Sequence, residues 1–381
     1  MFARSKRLLT QLGNPQNVHK AIHVAGTSGK GTVCYMIDAI LRGHNKQTAL
    51  LVSPHVYDIR ERIQINNQYA PEKRYIQIAN QVITHAKNMG NLGDAPSYFE
   101  VMSAIGFTLA AQKPLDYIVV ETGLGGRYDL SNTIEGPLKY CVLTQIGLDH
   151  TSILGSTYEQ IAREKAAIVQ RHTPITALSQ KKSVNKVFTE VAEMNNATIS
   201  WVESTGSYEI DDLLIALDTV KNIASHDGWQ FDEETAKQAA HSVYIPGRFE
   251  KRTLNNKLVV LDGAHNSQKL SALSKRLKKE SLDLLTIVIA FSEHKDVTTS
   301  LQAIMPVCKR LIICEFFLDN RAIYRRAAPA ESIQQVALKL GFEDIQIIKS
   351  PLSALRRALE YPESILVTGS FYLLGEIDHA F

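Results

Sequence analysis

The segment Ala21–Leu41, AIHVAGTSGKGTVCYMIDAIL, constrains this chain more than any other. Ala21–Ala25 reads as a short buried strand, and Gly26–Gly31 places three glycines in six positions. From Thr32 the apolar residues Val33, Met36, Ile37, Ile40 and Leu41 recur at i, i+3, i+4, i+7 and i+8, one face of a helix. Strand, glycine loop and helix together aim backbone N–H groups and a helix N-terminus at a phosphate. Lys30 can reach terminal phosphates, and the Thr32 hydroxyl can ligate Mg²⁺. The usual phosphate loop ends Gly-Lys-Ser/Thr, whereas here Gly31 stands between Lys30 and Thr32. A plain glycine turn is the competing reading. It is disfavoured because lysine, hydroxyl and both flanking elements agree, so the segment implies a nucleotide site.

The 381 residues suffice for two domains with separate cores. Basic and acidic residues nearly balance, 42 against 39, so no strong field for a polyanion is implied and no nucleic-acid partner is expected. No apolar run approaches the ~20 residues of a membrane span. The N-terminus, MFARSKRLLTQLG, lacks the apolar centre of a signal peptide and reads as an amphipathic helix. Cys34, Cys141, Cys308 and Cys314 lie in apolar segments without CxxC spacing, as buried thiols of a reducing cytosol do. A cytoplasmic location with no membrane partner is the expectation.

Apolar strands alternate with helical patterns along the chain, which argues for parallel α/β sheets. Strand Ala49–Val52 stops at Ser53-Pro54-His55, leaving a hydroxyl at a strand's carboxyl end, where open α/β sheets bind ligands. A polar stretch with Arg60, Glu61 and Arg62 follows. Ser97 and Glu100 fit a capping box opening helix Val101–Ala111, and Tyr98 and Phe99 between them can face a flat ligand. Strand Asp116–Glu121 ends in a carboxylate suited to Mg²⁺, ahead of Gly123-Leu124-Gly125-Gly126-Arg127. Strand Tyr140–Ile146 leads to Asp149-His150, where a satisfied structural histidine is the commoner outcome.

Ser156-Thr157-Tyr158-Glu159 reads as a second capping box, starting a helix to about Gln170. Ile161, Lys165 and Ile168 fall at i, i+4 and i+7, which puts Lys165 on the apolar face. It either snorkels to water or turns inward as an ion-pair partner or modified residue. Tyr244-Ile245-Pro246-Gly247-Arg248 has the composition of an interdomain joint, dividing the chain into 1–245 and 246–381. In the second part, strand Lys257–Leu261 ends at Asp262-Gly263-Ala264-His265-Asn266, where an acid can accept from ribose hydroxyls.

Seven blocks stand in the order of one family: Gly26–Thr32, Ser53–His55, Glu121–Arg127, Leu148–Thr151, Arg163–Ala166, Pro246–Phe249 and Asp262–Asn266. On them the chain resembles the bifunctional dihydrofolate synthase/folylpolyglutamate synthase family of the Mur ligase superfamily, from about Leu8 to the C-terminus. The resemblance implies an α/β fold: a P-loop, Mur-ligase-like N-terminal domain with a parallel-rich sheet and a smaller Rossmann-like C-terminal domain. It implies an ATP-dependent amide ligase that adds L-glutamate to dihydropteroate or folate through an acyl phosphate. A folylpolyglutamate synthase alone, or another Mur-type ligase with a different acceptor, is the alternative. Gly26, Thr27, Ser28, Gly29, Lys30, Gly31 and Thr32 would cradle the ATP phosphates, with Arg248, Asp262, His265 and Asn266 as further ATP contacts. Asp212 matches an ATP-contacting Asn of relatives and, as an acid, disfavours a nearby phosphate.

Thr32, Ser53, Glu121, His150 and a carbamylated Lys165 would hold Mg²⁺, two ions in all, and Lys30, His150 and Lys165 would be catalytic. Ser97, Tyr98, Phe99, Glu100, Arg127, Tyr128, Asp129 and Leu130 match segments that contact the pteroate-type substrate. Relatives carry a further N-terminal segment that helps hold the pterin, and this chain starts about where that segment ends. A peptidoglycan-precursor ligase would place a substantial domain ahead of the phosphate loop, and a mechanical ATPase would need no Asp262–Asn266 block. The resemblance implies a monomer.

Overall fold

Strand Lys20–Ala25 (β1) occupies the middle of an eight-stranded sheet, with all but its first residue buried. The computed structural model describes residues 2–91, 93–135, 139–320 and 323–381. The other strands of this sheet are Thr48–Leu51 (β2), Ile63–Ile65 (β3), Gln68–Tyr69 (β4), Tyr117–Glu121 (β5), Lys139–Leu143 (β6), Ile175–Ser179 (β7) and Ile199–Glu203 (β8). Their order is β4-β3-β2-β5-β1-β6-β7-β8. The six strands from β2 to β8 in that order run parallel, and β3 and β4 join antiparallel at one edge. Parallel strands covered on both faces read as continuous apolar runs, which is why IHVA and YIVV were legible.

Helix Lys30–Gly43 lays Val33, Ile37, Ile40 and Leu41 on one face of this sheet beside Ile215, Val220 and Ile223 of helix Tyr208–Asp227. The other face takes helix Tyr98–Ala110 and the N-terminal helix Phe2–Gln11, whose Leu8 and Leu9 are wholly buried. Each such side chain contributes roughly 1.5–3 kcal/mol by leaving water. Beneath the sheet, Asp227 ends its helix by accepting hydrogen bonds from the Tyr117 and Tyr140 hydroxyls and the Lys20 ammonium. Burial by itself would raise the Asp227 pKa, but these donors and His226 overcome it and hold the carboxylate well below the usual range. A depressed carboxylate adds stability above its unfolded pKa of about 4 and loses it as pH falls through the folded value. Asp227→Asn is therefore expected to cost about 2 kcal/mol near neutrality and to flatten acid unfolding below about pH 4, read by denaturant melts across pH.

Contacts divide the chain into two compact units, Met1–Ser53 with Arg60–Val243, and Pro54–Ile59 with Tyr244–Phe381. The excursion Pro54–Ile59 left no mark in the sequence. Val56 sits in the second unit's apolar core, and the Tyr57 hydroxyl donates to Glu250 at 2.7 Å. The second unit has strands Glu250–Leu254 (β9), Lys257–Asp262 (β10), Leu285–Ile289 (β11), Cys308–Ile313 (β12), Phe317–Asn320 (β13), Ile323–Arg326 (β14), Ile345–Ile347 (β15) and Ile365–Thr368 (β16). Six form a sheet in the order β15-β12-β11-β16-β10-β9, parallel except for β9, and β13 pairs with β14 as a separate hairpin.

Several boundaries differ from expectation for local reasons. The first helix begins at Lys30 rather than Thr32, so Gly31 lies inside its first turn. The second capping box is Thr157 with Gln160, one residue beyond the expected pair, and its helix ends at Ala166 instead of about Gln170. Ile168, just past that end, stays fully buried. Two hairpins escaped the sequence reading. Asn66-Asn67 and Asn255-Asn256 each take two positive φ angles, 50° and 61°, the primed turn that joins β3 to β4 and β9 to β10. Cys34, Cys141 and Cys314 are buried and Cys308 half-buried, all as free thiols. Among the described residues no helix is long and apolar enough to cross a membrane.

Candidate active site

In the first unit the phosphate-loop residues hang on the strand end that follows β6. The Thr27 and Ser28 N–H groups donate to the Gln145 carbonyl at 2.7 and 3.3 Å, and the Thr27 hydroxyl donates to Gly147 O at 3.1 Å. Thr144 Oγ1 donates to Ser28 O at 2.7 Å and lies 1.8 Å from where a Gly26 Cβ would stand, so only glycine fits there. Gly29, at φ 83°, is the N-cap of helix Lys30–Gly43, which leaves the N–H groups of the first turn open to an anion. A Cβ on Gly31 would sit 3.6 Å from a Glu121 oxygen, so the Glu121 carboxylate flanks the turn bearing Lys30 and Thr32. Glu121 also accepts the Ser53 N–H at 2.9 Å, which brings the two strand ends together.

Lys165 resolves its two readings inward: it is 4 % exposed. Burial, reinforced by the Lys30 charge, lowers its pKa to about 7 against the opposing pull of Asp149, Asp129 and Glu121. A buried amine with that pKa has a substantial neutral, nucleophilic fraction at physiological pH. His150 takes φ 50° at the N-cap of the short helix Thr151–Leu154, half-exposed beside Asp149. Among the described residues no group of three or more His, Cys, Asp and Glu side chains forms a metal cage. The first unit instead offers hydroxyls, one strand-end carboxylate and an anion-binding turn, a hard oxygen set that fits Mg²⁺ completed by phosphate oxygens and water.

Beside Glu121 opens a pocket lined by Ser53, Arg62, Phe99, Met102, Ser103 and Ser131 among others. The tip of the Phe99 ring abuts Gly123, where a Cβ would meet Cζ at 2.1 Å. Arg62, Met102 and Ser103 were not singled out from the sequence. Met102 and Ser103 follow Phe99 by three and four residues on one helix, a spacing that shares a face and was the available signal.

Four of the expected substrate contacts have partners within the fold or lie in its core. Glu100 is buried, closes the capping box with Ser97, and accepts from Arg4 and Ser5 at 2.6 Å, which pins the N-terminal helix. Asp129 accepts from Gly123 N, Leu124 N and Ser131 N at 3.0 Å and holds the glycine loop. Leu130 is 1 % exposed within the core. Arg127 pairs with Glu164 at 2.7 Å. Tyr128, 58 % exposed, remains available.

In the second unit, Asp262 accepts from Phe249 N and Ala264 N, each at 2.8 Å, which shapes the loop after β10. Burial raises its pKa, with the Arg248 charge opposing. His265 Nδ1 donates to Gly263 O (2.8 Å), its Nε2 meets Lys269 Nζ at 3.3 Å, and the ring lies edge-on to Phe371. Burial, then Lys269 and Lys295, keep its imidazole neutral. Arg248 stacks over the Phe371 ring at 4.7 Å, and Asn266 caps helix Ser267–Lys279 through Lys269 N.

The chain matches the Mur ligase middle domain over residues 24–256 and the dihydrofolate synthetase C-terminal domain over residues 241–380. It is 30 % identical to the dihydrofolate synthase/folylpolyglutamate synthase of Mycobacterium tuberculosis, over 82 % of this chain and 73 % of that protein. It belongs to the dihydrofolate synthase/folylpolyglutamate synthase family. A dihydrofolate synthetase of Saccharomyces cerevisiae is 29 % identical over 99 % of this chain and 96 % of its own length. Folylpolyglutamate synthase of M. tuberculosis, solved with ADP, superposes with a TM-score of 0.86 at 25 % identity, covering 98 % of this chain and 93 % of that one. As a member of this family the chain is an ATP-dependent ligase with a Mur-ligase-like α/β fold.

Proposed function

We propose that the chain joins L-glutamate to dihydropteroate, to a reduced folate, or to both, at the expense of ATP. The observation that carries this reading is the position of Glu121, which lines the pocket, flanks the phosphate-loop helix and holds Ser53. A carboxylate seated at that end of the pocket has the phosphate-binding turn beside it. The flat face of Phe99 and the sulfur of Met102 suit an aromatic acceptor, and Arg62 supplies a cation for its acid group.

A carboxylate does not condense with an amine in water unless one oxygen becomes a good leaving group. Attack of the acceptor carboxylate on the γ-phosphorus of ATP gives an acyl phosphate, with ADP leaving. The glutamate amine then attacks the acyl carbon, loses a proton, and phosphate departs. Lys30 and the N–H groups of the turn Lys30–Thr32 neutralise charge on the transferred group. Bound Mg²⁺, one ion or two, supplies further neutralisation of the phosphates. Thr32, Ser53, Glu121 and His150 would hold it. Neutral Lys165 can add to CO₂ and lose a proton to solvent, becoming a carbamate, which turns a buried amine into a ligand anion. Arg248, His265 and Phe371 offer charge and ring faces to the nucleoside, while Asp262 and Asn266 keep their loop in shape. Cytoplasmic location, a monomeric state, and the absence of nucleic-acid and membrane partners belong to the same reading.

Phosphate release measured with ATP and glutamate, comparing dihydropteroate with tetrahydrofolate, tests it. One phosphate per new amide is expected with at least one acceptor, and mass spectrometry of the products counts the glutamates added. Phosphate release that never yields an amide on any pteridine acceptor would refute the assignment.

A further inference from the structure

Asp212 is the fifth residue of helix Tyr208–Asp227, just past its first turn, and its direction is set by its neighbour. Asp211 is buried and accepts from Ser204 Oγ (2.6 Å), Thr205 N (2.7 Å) and Thr205 Oγ1 (2.8 Å), which locks the turn 204–207 against the helix. Successive residues on a helix diverge by about 100°. With Asp211 facing inward, Asp212 projects onto the phosphate loop. A Cβ built on Gly29 would lie 2.2 Å from Asp212 Oδ1 and 3.0 Å from Oδ2. Gly29 is the N-cap of the very helix whose first N–H groups face the phosphates. A carboxylate is thus built against an anion-binding turn, where a carboxylate and a phosphate repel.

We propose that Asp212 is a specificity-determining residue that makes nucleotide binding depend on the divalent cation. It repels a bare nucleoside polyphosphate more than its metal complex, because the metal removes two charges from the ligand before it meets the carboxylate. The loop therefore selects metal-loaded nucleotide, the form competent for phosphoryl transfer. This rests on the phosphate loop being the nucleotide site.

The test is equilibrium titration of ADP with and without Mg²⁺, at low ionic strength and near 0.15 M salt, for the wild type, Asp212→Asn and Lys30→Ala. Asp212→Asn should tighten metal-free ADP about tenfold and Mg-ADP clearly less, with both gains shrinking as salt screens the charge. Asp212→Ser should repeat the result without the amide's hydrogen bonds. Weaker, unchanged or equally improved binding of the two forms overturns the proposal when Lys30→Ala has lost affinity. Wild-type affinity in Lys30→Ala overturns the nucleotide-site reading itself.

Discussion

Lys30→Ala is expected to lower turnover by at least about 10³-fold, the scale on which single charge-stabilising groups act in phosphoryl and acyl transfer. The side chain leaves the first residue of helix Lys30–Gly43, so its loss removes a charge at the loop without touching the buried stripe Val33, Ile37, Ile40 and Leu41. Circular dichroism and thermal melting should therefore be unchanged within error. Phosphate release at saturating ATP reads the effect, and a Lys30→Ala protein with near wild-type turnover would remove the phosphate-loop assignment. Lys30→Arg should recover little, because a planar fork cannot reproduce a compact ammonium.

Lys165→Met should cost about 10²-fold in turnover if the carbamate organises metal at the site. The pH dependence separates this from a packing role. With the amine pKa near 7, wild-type activity should fall as pH drops below that value, since only the neutral amine takes up CO₂. Added bicarbonate should raise wild-type activity and leave Lys165→Met unaffected. Stability carries the opposite signature in CO₂-free buffer. A lysine whose folded pKa lies below its unfolded value of about 10.4 destabilises increasingly as pH falls from there to about 7, and by a constant amount below. Lys165→Met should accordingly melt higher than wild type at pH 6 and show a smaller difference at pH 10. A melting temperature that does not change at either pH would mean that the amine is not held against desolvation.

The two capping boxes show how sequence reading succeeds and slips. Ser97 and Glu100 were paired correctly because both halves of the box sit within four residues. The second box was misplaced by one residue, since Ser156-Thr157 followed by Glu159-Gln160 allows two registers. The extended conformation of Thr157 selects the later one. Glu100 illustrates a deeper limit. Its local role was visible, but Arg4 and Ser5 lie about 95 residues away in the chain. No local pattern announces that those groups consume the carboxylate. The hydrogen bonds of Asp129 to Gly123 and Leu124 and the burial of Leu130 were hidden for the same reason, because burial is a property of the packed molecule.

By itself the sequence determined the parallel α/β rhythm, the strand–loop–helix phosphate motif and the strand-end residues Ser53, Glu121 and Asp262. These depend on periodicity and on backbone sterics, which act over a few residues. Only tertiary structure decided that Pro54–Ile59 packs with the second unit, that Arg62, Met102 and Ser103 wall the pocket, and that Asp212 faces Gly29. Only it decided that Lys165 is buried and carries a pKa near 7. Those outcomes depend on desolvation and on charges brought together from distant segments, and neither quantity is written in the spacing of residues along a chain.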